Sequence, residues 1–137
     1  MEHPEDKQEF VAGAESMFRG SAPVWWSFGL VTKFELRAES GRSTITLRLD
    51  RDPSRAVDGA AQCRLAWVEL RFEGVCDVEV RLRGLGPWQV SGFDIVDVRD
   101  RQLEGLRVLV EDFENGAVRW YADRVTVVDG GRVLSEN

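Results

Sequence analysis

Seven carboxylates crowd one stretch of this chain: Asp94, Asp97, Asp100, Glu104, Glu111, Asp112 and Glu114. Two acids held roughly 5–9.5 Å apart in a cleft can divide general acid and base work in a hydrolase. Neighbouring strands bring acids to that spacing readily, so the spacing alone decides little. Arg99, Arg101 and Arg107 are interspersed among them. The same residues therefore also read as a solvated face of cross-strand ion pairs, and that reading is the stronger, because alternating acids are what solubility requires.

Other chemistries lack parts. His3 is the only histidine and sits near the amino terminus, so no Ser–His or Cys–His pair can be built on a rigid scaffold. Cys63 and Cys76 are the only cysteines and cannot complete a zinc set alone. The acids have no EF-hand spacing. Neither glycine-rich phosphate cradle is present, since the Gly84, Gly86 pair lacks a third glycine and a following helix. The sequence predicts no catalytic residue, no metal and no cofactor.

Aromatic residues are the second group of interest. Trp67, Trp120 and Phe72 lie within strand-like runs and are expected in the core. Trp88 follows a loop of Gly84, Leu85, Gly86 and Pro87, and Trp25 and Trp26 are adjacent. Adjacent strand residues face opposite ways, so one of Trp25 and Trp26 is expected outside. Exposed tryptophans beside acids suit a protein-binding patch. Trp25, Trp26, Trp88, Asp94 and Asp97 are therefore the candidate binding residues. The alternative for Trp88 is a plug folded back over one end of the fold.

These side chains must be positioned by strands. From Phe28 to Val128 apolar residues alternate with polar ones, interrupted by short Gly, Pro, Asn or Asp clusters. Period two places successive side chains on opposite faces of a sheet. Phe28, Leu30, Thr32, Phe34, Leu36 and Ala38 form one row within a strand from about Ser27 to Glu39. A turn at Ser40–Gly41 leads back through Thr44 to Asp50, with Ile45, Leu47 and Leu49 on one face. Arg51 to Gln62 has no periodicity and reads as the longest loop. Further strands are expected at Arg64–Phe72, Val75–Arg83, Val90–Val98, Leu106–Phe113 and Val118–Ala122. Arg124–Val128 is expected to kink away at Asp123, and Asp129–Gly131 to close the fold, with 129–137 a frayed tail. Phe93 and Ile95 oppose Val96 and Val98 in facing, as Trp67 opposes Val68 and Leu70. Strands apolar on both faces are covered on both, which favours a sandwich or a strongly coiled sheet.

The first segment differs. Phe10, Val11, Ala14, Met17 and Phe18 recur at helical spacing, Pro4 suits a first helical position, and Gly20 suits a stop. A helix over Glu5–Arg19 is expected, packed on the sheet. One domain, residues 1–137, of mainly β class with one amino-terminal helix follows.

The spacing of the two cysteines does not suit a disulfide. If Glu73–Gly74 is a hairpin turn, Cys76 lies opposite Arg71 and Cys63 far along the ladder. Bridged cysteines need α-carbons within about 7 Å, so two free thiols are expected, with Cys76 a small core residue in the row Cys76, Val78, Val80 and Leu82.

Composition bounds the partners. Of 137 residues, 43% are hydrophobic, enough for a real core, and 31% are charged. The formal net charge of −6, with arginines sitting singly among acids, argues against nucleic acid, whose binders present basic stripes. Met1–Lys7 predicts no secretory signal, and no run reaches the roughly 18 apolar residues of a membrane span. A cytoplasmic protein is expected.

The run Val68-Glu69-Leu70-Arg71-Phe72-Glu73-Gly74-Val75-Cys76-Asp77, then Gly92-Phe93-Asp94-Ile95 and Val118-Arg119-Trp120-Tyr121, resembles small bacterial all-β proteins of the polymorphic-toxin immunity type. The resemblance covers Val68–Val128. It implies a protein that neutralises a partner by binding and transfers no catalytic residues. The leading expectation is thus a non-enzymatic protein-binding domain with a basic partner. One alternative is a small-molecule-binding or carboxylate-based hydrolytic domain with a pocket near Trp88 and Asp94 or Asp97. Another is a structural subunit that forms homo-oligomers through a sheet edge or the helix.

Overall fold

The computed structural model describes residues 11–14, 25, 28–51, 65–82, 84, 86–90, 92–99, 107–112 and 116–132. Ten strands among them form two sheets. They are β1 (Val11–Ala12), β2 (Leu30–Glu39), β3 (Arg42–Asp50), β4 (Leu65–Glu73), β5 (Cys76–Val80), β6 (Trp88–Gln89), β7 (Phe93–Asp97), β8 (Val108–Asp112), β9 (Val118–Ala122) and β10 (Arg124–Arg132). The larger sheet has the order β1-β10-β4-β3-β2-β6, the smaller β5-β9-β8-β7. Every neighbouring pair is antiparallel except β1 with β10.

Turn chemistry explains the longest hairpin. Ser40 (φ 52°) and Gly41 (φ 77°) both occupy the left-handed region, as a two-residue turn matched to strand twist demands. Glu39 then pairs with Arg42, and the ladder runs back to Leu30 opposite Asp50. The ladder slips between Val31 and Lys33, leaving Thr32 as the extra residue of a bulge. Its hydroxyl donates to the Asp50 carboxylate at 2.8 Å. The bulge corrects the expected unbroken row. Val31, not Leu30, fills the core, and only beyond Thr32 do Phe34, Leu36 and Ala38 share its face.

The turn expected at Glu73–Gly74 is a crossing between sheets. β4 pairs with β3 and β10 in the larger sheet, whereas β5 pairs with β9 in the smaller. A β-carbon on Gly74 (φ 67°) would press on Asp123 Cβ at 2.8 Å, because the chain crosses back at that same corner between β9 and β10. The Asp123 N–H donates to the Glu73 carbonyl at 2.9 Å, tying the two crossings together. The expected kink at Asp123 is this second crossing. Cys76 therefore lies opposite Tyr121 of β9 rather than Arg71. It is a half-buried free thiol, while Cys63 lies outside the described residues.

The two sheets enclose one apolar core. Ile45, Leu47, Leu49, Val68, Leu70 and Phe72 from the larger sheet meet Ile95, Val110, Val118 and Trp120 from the smaller. Trp120 is fully buried, with Phe72 edge-on at 5.3 Å and Phe34 tilted at 6.1 Å between ring centroids. Such aromatic pairs add about 0.5–1.5 kcal/mol beyond area burial. Val98 and Leu109 are also buried but lie outside that cluster, in keeping with strands apolar on both faces.

Three further expectations change. Val11 and Ala12, inside the expected helix, form β1 parallel to β10, opposite Val125 and Thr126. β-branched Val11 is buried in the core, and Gly13 sits at φ 85°, within 3.1 Å of the Val127 carbonyl at its missing β-carbon. A helix cannot run through that geometry; Ala14, just beyond it, is helical and buried, and residues 5–10 and 15–19 lie outside the described residues. Asp129–Gly131, expected to close the fold, belongs to β10, which carries a register shift between Val127 and Asp129. Trp67, expected in the core, faces outward. Its indole lies over Gly131, where a β-carbon would overlap it, and beneath the Arg48 guanidinium, 4.0 Å from the ring centre. The Asp52–Gln62 part of the long loop and residues 133–137 of the tail lie outside the described residues. Among the described residues no helix is long and apolar enough to cross a membrane.

Candidate functional site

Outward positions of the larger sheet form registered rows. Glu35, Thr46, Arg71 and Thr126 lie side by side on β2, β3, β4 and β10, as do Arg37, Thr44, Glu73 and Arg124 in the next row. Alternation sends these side chains to solvent because Ile45, Leu47, Leu70 and Phe72 between them point into the core. Glu35, Arg37, Glu39, Ser40, Arg42, Thr44, Thr46, Arg71 and Glu73 line an open groove of about 490 Å³. Three acids, three arginines and three hydroxyls thus share one face.

Local pairing is loose there. Arg37 bonds Glu35 at 3.3 Å, and Arg124 stands 3.8 Å from Glu73. Arg42 and Arg71 make no ion pair among the described residues. Exposed pairs of this kind contribute little to stability, which leaves the guanidinium groups available for a bidentate acceptor.

The residues marked by sequence lie elsewhere. Trp25 is buried in the core, 4% exposed, and its carbonyl accepts from Phe28 N–H at 3.0 Å. Trp26 lies outside the described residues. Trp88 is half-buried in β6, opposite Val31 of β2. Its ring packs on Gly86, and its Nε1–H donates to the Gly84 carbonyl at 3.3 Å. The ring thus folds back on its own loop and packs against the core.

Asp94 and Asp97 both lie on β7, three residues apart, so they project from opposite faces. Asp94 is half-buried opposite Glu111 of β8. Burial pushes its carboxyl above the ordinary aspartate value; the Ile95 N–H, bonded at 2.9 Å, opposes this and the Glu111 carboxylate adds to it. Arg119 stands 3.8 Å from Glu111. Asp97 is gripped by Arg99, with contacts of 2.6–3.0 Å to both carboxylate oxygens. That side-chain bond holds its pKa below the ordinary value against a partial burial effect. The described acids of the cluster, Asp94, Asp97, Glu111 and Asp112, are therefore divided between several partners, and Asp100, Glu104 and Glu114 lie outside the described residues. Asp112, 2% exposed, accepts from Gly92 N–H at 2.9 Å and Ala117 N–H at 3.2 Å, a latch between two loop ends.

Burial, with Asp77 beside it, raises the Cys76 thiol pKa, which lowers thiolate content and suits a packing residue. Among the described residues no group of three or more His, Cys, Asp or Glu is placed to hold a metal ion. Sequence alternation marked Lys33, Glu35, Arg37 and Glu39 as polar but not their neighbours in register. Thr44 and Thr46, spaced by two beside Ile45 and Leu47, were the available signal; Arg71 joins them only once β3–β4 pairing is known.

Fold and site together define a two-sheet β-sandwich that carries a solvated, charge-alternating face on its larger sheet. Comparisons with protein-family models, with curated proteins and with solved structures find no match for this chain.

Proposed function

We propose that the chain is a non-enzymatic protein-binding domain of the immunity type, which neutralises a basic cytoplasmic partner by covering it, and that the outer face of the larger sheet is the docking surface. The observation that carries this is the groove, where charged and hydroxyl side chains alternate in register on neighbouring strands of a packed sheet. Side chains held on strands lose less freedom on association than side chains on loops, so more of their contact energy appears as affinity. The net charge of −6 steers a basic protein toward the molecule, and the mixed face sets register.

Affinity capture from the native cell tests it with two variants. Arg71→Glu alters the groove; Glu79→Arg alters the smaller sheet. The expected result is one basic protein retained by the wild type and by Glu79→Arg and lost by Arg71→Glu. Equal retention by all three proteins, or none by the wild type at low salt, would refute the docking face.

A further inference from the structure

β6 covers only the Leu30–Val31 end of β2. From Thr32 to Glu39 the strand has β3 on one side and no neighbour on the other among the described residues. Every residue there except half-buried Phe34 is exposed. Leu36, 49% exposed, is the exposed large hydrophobic residue of the described chain.

Backbone polarity along this edge follows from the turn. The two-residue Ser40–Gly41 connection makes Glu39 and Arg42 a hydrogen-bonded pair. Antiparallel alternation then directs the peptide groups of Arg37, Glu35 and Lys33 toward β3 as well. Those of Phe34, Leu36 and Ala38 point to the open edge. A strand edge of this kind accepts another extended strand.

We propose that this edge pairs with the same edge of a second copy, antiparallel, about a two-fold axis through Leu36. The axis places Leu36 against Leu36 of the second copy as a hydrogen-bonded pair, flanked by Phe34 against Ala38. On the outer face Glu35 meets Arg37 and Lys33 meets Glu39. All charged pairs across the axis are opposite in sign, and in an antiparallel ladder they fall at the closer, non-hydrogen-bonded positions.

Neighbouring registers fail on the same residues. An axis through Glu35 sets Lys33 against Arg37, and an axis through Arg37 sets Glu35 against Glu39. An axis through Phe34 runs into β6. Edge charges ordinarily deter sheet-to-sheet pairing; this alternation deters the axes through Glu35 and Arg37, while an axis through Ala38 sets Arg37 against Glu39 but runs Leu36 onto Ser40 of the turn and keeps half of the charged pairs. The symmetry is isologous and closed, so association stops at two copies. The larger sheets join into one, and Leu36 leaves water. The pairing shares Glu35, Arg37 and Glu39 with one rim of the groove, but its readout is self-association, whereas the docking face is tested by capture with variants on β4 and β5.

Sedimentation of the full chain over a concentration series reaching about 1 mM tests the pairing. The wild type is expected to pass from monomer to dimer, with a dissociation constant on the order of tens of micromolar for so small an interface. Arg37→Glu sets two like-charged pairs across the axis and is expected to weaken the dimer about tenfold. The double variant Glu35→Arg/Arg37→Glu restores opposite signs and is expected to recover it. Leu36→Pro removes an N–H that points to the open edge and has no strand partner among the described residues, and is expected to be monomeric, with circular dichroism checking that it folds. A monomer over the whole range overturns the proposal, as does a dimer indifferent to Arg37→Glu. Loss of a captured protein from Arg37→Glu but not from Arg71→Glu, with the wild type monomeric, would assign the edge to that partner and overturn self-pairing too.

Discussion

Asp94 and Asp97 share one short strand, yet their surroundings move them in opposite directions. The folded Asp94 holds its proton to higher pH than the unfolded chain does. Stability is therefore lost as pH rises from the ordinary value of about 3.9 toward the folded one, and stays lost at neutral pH. The folded Asp97 gives up its proton earlier, so its contribution is present above the ordinary value and fades as pH falls through the folded one. Asp94→Asn is expected to raise the urea midpoint at about pH 7 and to match the wild type near about pH 3. Asp97→Asn is expected to lower the midpoint at about pH 7 and lose that penalty on acidification. Its cost should stay below about 1 kcal/mol, because both partners are partly exposed. Equilibrium unfolding of both variants at the two pH values checks the signs. At the same scale, the Trp120 Nε1–H is buried and has no hydrogen-bond acceptor among the described residues. An orphaned buried donor costs about 1–3 kcal/mol, so the large apolar ring keeps its place through packing alone.

Elements were legible in the sequence wherever one face was buried and the turn was short. β2 and β3 were readable because Ser40–Gly41 is a two-residue turn and Ile45, Leu47 and Leu49 alternate with polar residues. What escaped was decided by partners distant in sequence. Glu73–Gly74 has hairpin composition, but only Asp123, fifty positions on, shows that the chain changes sheets there. The Thr32 bulge conserves the apolar count while shifting its phase. Trp67 looks like core by type, yet its cover is Arg48 and the flat backbone of Gly131. The groove was half legible: its β2 charges were evident, and its Arg71 wall depended on register. The Trp67–Gly131 contact yields a direct check. Gly131→Ala is expected to cost about 1–3 kcal/mol by overpacking. In a Trp67→Ala background the same change should cost markedly less, a coupling that a double-mutant cycle in urea measures.

Over the whole molecule, charge and topology act separately. A net charge of −6 produces a long-range field that salt screens, with a Debye length of about 10 Å at 0.1 M. If a basic partner is steered by that field, its association rate should fall about tenfold between roughly 0.05 and 0.5 M salt, with dissociation nearly constant. Stopped-flow binding at several ionic strengths separates the two rates.

β10 is inserted between β1 and β4. Its ladder to β4 spans Arg124 through Arg132, so residues far apart in the chain must meet before the larger sheet is whole. On the ribosome, β2, β3 and β4 emerge well ahead of β10 and must wait with one flank of β4 bare. The nascent protein thus passes through a stage in which a core-forming ribbon is open to wrong neighbours, and release of the segment through Arg132 is the event that seals it.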